Sequence, residues 1–257
     1  MNKSLSPPKE DLKRLYWDEL MSLAEMGKIH NCCSVTIMRW MARYGISRRA
    51  RSELFHIKPK LEWTPDLAYI VGVVFGDGNI FRNRITLAVV DETFAFSFKA
   101  ASEKIGLHPC LYIKKFSEKY PNWKDQYVVA AESKLFCNWI QKITPIEINR
   151  IPNELFLYFV KGFYESEGCL ALNGRFPYFV LKMSNMNKEL LSIIWDRLKR
   201  MGFSFKWHVD MNKGESSSKD AYEIRLFKKN HVQRFLGVVN PCIKNKIKCN
   251  KICSTSS

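Results

Sequence analysis

Asp77 and Glu167 are the side chains whose setting most clearly calls for chemistry. Each closes an apolar segment and precedes a glycine, in Ile70-Val71-Gly72-Val73-Val74-Phe75-Gly76-Asp77-Gly78 and in Val160-Lys161-Gly162-Phe163-Tyr164-Glu165-Ser166-Glu167-Gly168. Each segment reads as a helix whose last turn carries a carboxylate and whose stop signal is the following glycine. The partial negative charge of a helix C-terminus repels an acid placed there, so both carboxylates sit where they cost stability unless a cation joins them. Together with the open carbonyls of the last helical turn, at Gly76 and Ser166, they form the hard oxygen donor set that Mg2+ prefers.

The two helices must bring these acids together. Gly72 and Gly76 share one helical face, and Gly162 and Ser166 share another. Small residues four apart let helix backbones approach closely. Packed along those stripes, the helices end with their acids side by side. Asp-Gly alone is more often a hairpin turn. The repetition and the shared small-residue face favour the helical reading.

These segments resemble the two copies of the LAGLIDADG motif in single-chain homing endonucleases. Gly72 and Gly162 match the first glycine, while Asp77-Gly78 and Glu167-Gly168 match the final acid-glycine. The first copy departs in having Phe75 where the name-giving motif has an acid. The resemblance covers about Asp66 to Val239 and implies a pseudo-twofold αββαββα core of mixed α/β (α+β) class with one-sided antiparallel sheets. It implies a metal-dependent, staggered double-strand cut in a long DNA target, with catalysis at Asp77 and Glu167. The metal would be two or more Mg2+ ions, which Mn2+ can replace, bound at Asp77, Glu167, Gly76 and Ser166. By position, Lys134 and Lys229 resemble the basic residues that flank such a site, with Lys228 a close competitor to Lys229.

A longer repeat agrees. Asp77 and Glu167 lie 90 positions apart. A helix ending at Ile105-Gly106-Leu107 recurs at Met201-Gly202-Phe203, and Tyr127-Val128-Val129 recurs at Tyr222-Glu223-Ile224. Each half therefore reads as helix, two strands, helix, two strands, helix. A period this long points to a fused pseudo-dimer rather than a solenoid. The two motif copies differ at almost every position other than the glycines, so the chain is expected to act as a monomer on an asymmetric target.

Charge names the partner class. The 257 residues carry 41 Lys plus Arg against 25 Asp plus Glu, a net charge of +16. A polyanion is the expected partner, which the resemblance makes double-stranded DNA, with the protein's own intron RNA as the alternative. No apolar stretch reaches spanning length, so no membrane partner is expected. The start lacks a signal-peptide pattern and the eight cysteines are irregularly spaced, as in reduced, intracellular proteins. Cys242, Cys249 and Cys253 lack the paired spacing of a zinc site.

Residues 1-53 form a different unit, read as a DNA-binding helix-turn-helix module. Asp11 to Leu20, Ser22 to His30 and Val35 to Tyr44 have helical spacing, with a tight break at Asn31-Cys32-Cys33-Ser34 where asparagine tolerates the left-handed turn. The third helix turns Ser34, Thr36, Arg39 and Arg43 outward, and Arg48, Arg49 and Arg51 follow. A bundle without DNA contacts shows the same periodicity. Residues 54-65 read as a linker, 66-145 and 146-240 as the two repeats, and 241-257 as a basic tail.

Strand patterning marks the face for DNA. Phe203 to Asp210 alternates strictly, with Ser204, Lys206, His208 and Asp210 on the polar side. Arg82, Arg84, Lys114, Tyr178 and Lys182 would contribute similarly, as β-ribbons can enter the major groove. A non-catalytic DNA-binding regulator and an intron RNA maturase are the rival readings on the same fold.

Overall fold

The computed structural model describes residues 6–19, 21–49, 59–116, 122–172, 179–210, 221–227 and 229–244. Two compact units result, Met1–Leu54 and Phe55–Ser257.

In the first unit, α1 (Lys9–Lys13) widens to π spacing over Arg14–Asp18, and α2 (Leu23–Ile29) and α3 (Ser34–Arg43) follow. The expected helix from Asp11 is thus shorter in regular α geometry. Ser22 and Glu25 form a reciprocal capping box, their two hydrogen bonds 3.2 and 2.8 Å, which fixes the start of α2. Asn31 takes the left-handed conformation expected of it, with φ 49°. The turn is tight because Gly27 lies against the Cys32 carbonyl, where a side chain would not fit. Leu12, Leu15, Met26, Ile37, Trp40 and Met41 fill a core of their own.

The second unit opens on α4 (Pro65–Gly76), capped by Thr64 and buried on all sides from Leu67 to Val74. Then come β1 (Asn79–Phe81), β2 (Arg84–Val89), α5 (Glu92–Lys104), β3 (Cys110–Lys114), β4 (Gln126–Glu132) and α6 (Lys134–Ile140). After the short α7 (Pro145–Asn149), the pattern recurs. It runs through α8 (Asn153–Glu167), β5 (Gly168–Leu172), β6 (Phe179–Asn185), α9 (Lys188–Arg200), β7 (Lys206–Asp210), β8 (Ala221–Leu226) and α10 (Lys229–Val239). The fold is mixed α+β. Each half holds one antiparallel four-stranded sheet, ordered β1-β2-β4-β3 and β5-β6-β8-β7.

Local chemistry repeats with the elements. Asp91 accepts the Phe94 amide at the start of α5, and Asn187 accepts the Leu190 amide at the start of α9. Both helices end at a left-handed glycine, Gly106 (φ 90°) and Gly202 (φ 84°), closed by Leu107 N to Ser102 O and Phe203 N to Leu198 O. One core spans both halves, because the inward strand residues Ile85, Leu87, Leu181, Met183, Ile224 and Leu226 are all buried with the faces of α4 and α8.

The contact between α4 and α8 fixes the centre. A methyl group on Gly72 would overlap the Phe159 carbonyl, and one on Gly162 would overlap the Tyr69 carbonyl. Main chain thus meets main chain along the expected small-residue stripes. Further along, Gly76 lies against the Ser166 side chain, and the Ser166 hydroxyl donates to Gly162 O at 3.1 Å and to Val73 O at 3.4 Å. Arg197, buried and 3.8 Å from the centre of the Phe156 ring, donates to the Ile148, Asn149 and Ile151 carbonyls and holds the approach to α8. Among the described residues, no helix is long and apolar enough to cross a membrane.

Candidate active site and nucleic-acid interface

The helix crossing delivers both acids to one end of the pair. Asp77 is the C-cap of α4 and exposed, while Glu167 is the last residue of α8 and half-buried. Burial and the charge of Asp77 push the Glu167 carboxyl above the usual carboxylate range, opposed by Lys244 and by the Asn185 amide, 3.2 Å away. Mutual repulsion between two carboxylates is what a cation relieves.

The glycines that follow the acids act differently from the expected left-handed stop. Neither Gly78 nor Gly168 has a positive φ. Gly168 is extended (φ −83°, ψ 159°), so α8 passes directly into β5, and a side chain there would overlap the Tyr164 ring and carbonyl. Gly78 lies equally close to Val74. These glycines are required by close approach to the preceding helical turn, which lets a strand start without a connecting loop.

Two residues that motif reasoning leaves without a role organise this end. Glu165 is buried, accepts the Tyr69 hydroxyl on one oxygen at 2.6 Å and the Cys242 amide on the other at 2.6 Å. It ties both motif helices to the segment after α10. That segment carries Lys244, whose ammonium donates to the Glu165 carbonyl at 2.6 Å and the Ser166 carbonyl at 2.7 Å. Burial lowers the Lys244 pKa, and the charges of Asp77, Glu167 and Glu165 oppose that. The acid in the motif was legible as a carboxylate on an apolar helix. Nothing local separates Lys244 from the other lysines of the basic tail, because only the folded chain returns it to the end of α8.

Lys134 and Lys229 need correction as neighbours of the acids. Asn79, just after Asp77, is level with Thr86 and Ala130, and β4 then runs on to Lys134 in the direction away from Asp77. Likewise, Asn185 beside Glu167 pairs with Tyr222, and β8 runs from there to Leu226 with Lys229 beyond. Both lysines are exposed in the first turn of a helix, beyond the ends of the inner strands β4 and β8 that point away from the acids. Among the described residues, the lysine whose charge acts on Glu167 is Lys244.

The sheets present different outer faces. On the second, Lys182, Arg225 and Lys206 stand in one cross-strand row, and Ser184, Glu223 and His208 form the next. Lys206 and His208 therefore share a face with Lys182, as the alternation from Phe203 to Asp210 suggests, although the strand itself begins at Lys206. Glu223, buried, pairs with Lys182 at 3.4 Å and with Arg225. Arg225 and Glu223 were missed by sequence reasoning, though their alternation with Tyr222, Ile224 and Leu226 carries the signal. On the first sheet, Arg84 is bound to Glu132 at 2.6 Å across the β2–β4 register. Lys114 is exposed, and Arg82 is an exposed residue in the left-handed region (φ 55°) whose guanidinium lies over the Phe81 ring. Tyr178 lies outside the described residues.

In the first unit, Ser34, Arg39, Arg43 and Arg48 are exposed and Thr36 is half-exposed, its hydroxyl 3.3 Å from the Cys33 sulfur. Arg49 departs from the expected surface role. Its guanidinium donates to the Met21 carbonyl at 2.6 Å and lies 4.2 Å from the Tyr16 ring centre, so it serves the unit's own packing. Arg51 lies outside the described residues.

No protein-family profile matches the chain. The N-terminal LAGLIDADG domain of DUF199/WhiA has the same fold, with a TM-score of 0.51 at 15% identity over 77% of this chain and 96% of that one. The homing endonuclease I-DmoI, solved in complex with DNA and Mn, aligns at a TM-score of 0.48 and 17% identity over 68% of this chain and 96% of that one. The first of these defines the class: the second unit is a LAGLIDADG-fold protein. In sequence, the chain is 34% identical to "Uncharacterized protein MJ0314" of Methanocaldococcus jannaschii over 189 residues, 68% of this chain and 71% of that protein. The chain belongs to the same family as that archaeal protein.

Proposed function

We propose that this protein is a site-specific DNA endonuclease that hydrolyses phosphodiester bonds in both strands of a long asymmetric target, working as a monomer inside the cell. The observation that carries the reading is the convergence of Asp77 and Glu167 at one end of the packed helices, close enough for one charge to act on the other. The donor set suits a hard cation: two carboxylates and the helix-end carbonyls of Gly76 and Ser166, one of which already attracts an ammonium. Among the described residues no cluster of three or more His, Cys, Asp or Glu ligands exists, so water and substrate oxygens would complete the shell. Bound there, Mg2+ or Mn2+ supplies Lewis-acid charge for phosphodiester hydrolysis.

The chain's own residues do the rest. Lys206, beside Lys182 and Arg225 that share the buried Glu223, meets phosphates and sets the register of the second sheet on the duplex. Arg82, Lys114 and neighbouring outer-face residues act for the first half. Ser34, Arg39, Arg43 and Arg48 of the first unit add contacts in helix-turn-helix fashion. Incubating the protein and Mg2+ with a randomised duplex library, and sequencing cleaved ends, tests this directly. Enrichment of one long site, absent with Asp77→Asn, supports it; recovery of bound but uncut duplex supports the second reading, a DNA-binding regulator. That second reading is favoured by Lys244, which holds the acid end with a charge of the protein's own.

A further inference from the structure

The ammonium of Lys244 sits where the metal reading needs an open carbonyl. Its Nζ donates to both Glu165 O and Ser166 O, two carbonyls in the last turn of α8, at 2.6 and 2.7 Å. A helix C-terminus carries partial negative charge, and a cation placed on it is stabilised. The backbone under this lysine is deliberately held. Lys244 is in the left-handed region (φ 57°), which disfavours residues with a Cβ, and the Tyr164 hydroxyl keeps it there by donating to the Lys244 carbonyl at 2.9 Å. Two residues earlier, the Cys242 amide is fixed on Glu165. Two contacts thus fasten the backbone of this segment to the last turn of α8, and the flexible lysine side chain is the part free to leave.

We propose that Lys244 is a resident cation of the acid site, which a divalent ion must displace to reach the Ser166 carbonyl and the carboxylates. The ammonium and the metal compete for the same oxygen donors and for the same negative charge. Without nucleic acid, the lysine relieves part of the repulsion between Asp77 and Glu167 and keeps metal binding weak. When a phosphate backbone enters, its oxygens give the ammonium another partner and the metal further ligands, so metal loading becomes coupled to target binding. This inference rests on the metal-site reading and assigns it a regulator that sequence patterns do not single out.

The test is metal affinity of the full-length protein without nucleic acid, with free Mn2+ read by electron paramagnetic resonance. Lys244→Met removes the charge and keeps the chain length. It is expected to bind Mn2+ about tenfold more tightly than the unaltered protein, as expected for removing one positive charge beside a divalent site. Lys244→Arg, which keeps a cation there, is expected to stay weak. Adding Asp77→Asn to Lys244→Met should abolish the gain. Circular dichroism melts establish folding, and Lys244→Gln replaces the methionine variant if that one is unfolded. Unchanged or weaker Mn2+ binding in the folded neutral variants, beside Asp77-dependent cleavage by the unaltered protein, overturns the competition and leaves the endonuclease reading standing. Mn2+ binding that ignores Asp77 in every variant overturns both.

Discussion

The two halves of the LAGLIDADG unit use one plan and finish it differently. Both place an acid at the end of a central helix, a four-stranded sheet beside it, and a second helix ended by a left-handed glycine. In the first half the acid, Asp77, is exposed, and the outward Arg84 is neutralised by Glu132. In the second, Glu167 is half-buried and hydrogen-bonded by Asn185, and of the three cations that cross the sheet in one row Lys182 and Arg225 pair with the buried Glu223. The difference teaches that the repeat conserves what positions the acids, whereas the surroundings of each acid and each sheet surface are set independently. Two halves on one chain have that freedom, because no symmetry operator ties them together.

The largest expected effect breaks what the halves share. Gly72→Ala or Gly162→Ala drives a methyl group into backbone atoms of the partner helix, with no side chain that can move aside. Each should cost on the order of 3 kcal/mol or more in urea or thermal unfolding. Gly76→Ala meets the Ser166 Cβ, an atom that no rotamer change can move, so it should cost a comparable amount. Small losses at all three positions would mean the helices are not in main-chain contact.

Next come the acids. Asp77→Asn and Glu167→Gln should each reduce double-strand cleavage by about 100-fold or more while binding stays within about tenfold. Nicked intermediate that accumulates in one variant and not the other would assign an acid to a strand. The same pair makes a stability comparison in metal-free buffer. The raised pKa of Glu167 means that its contribution to stability is fully present below the unfolded value, near 4.3, and is lost as pH rises through the higher folded value. Asp77→Asn removes the repelling charge but also an attraction to Lys244, so the comparison belongs in the Lys244→Met background, where above that range the added Asp77→Asn should raise stability, by at most about 1 kcal/mol given the solvent access of both groups. A variant that melts lower at neutral pH would show the two carboxylates are not in conflict.

A smaller effect concerns the first unit. Deleting residues 1–54 should weaken DNA binding by about tenfold and flatten its salt dependence, with single-turnover cleavage at saturating protein within about tenfold. An unchanged salt slope would make the bundle a structural or partner-binding element. The smallest effect separates the sheets. Lys206→Ala should lower the salt slope by about one and affinity by a few-fold, while Arg84→Ala, whose charge is already paired with Glu132, should do less. The reverse ranking would put the main phosphate contacts on the first sheet.

Much of this architecture is legible from residue types and spacing. The acid-glycine repeat, the small-residue stripes and the spacing of Gly106 and Gly202 are local patterns, and local patterns determine helices, strands and caps. They were sufficient to predict two acids meeting at the end of one helix pair. They misread the glycines after the acids, since a turn glycine and one pressed against a neighbouring carbonyl look alike in sequence. They also misplaced Lys134 and Lys229, because strand register, not distance along the chain, decides which end of a sheet a residue occupies. Arg49 was read as surface charge, yet Tyr16 and the Met21 carbonyl claim it. Only tertiary structure returned Lys244 to the end of α8, 78 residues from Ser166. A lysine's type sets its charge and reach, but which carbonyls it meets is decided by the packing that brings distant backbone together.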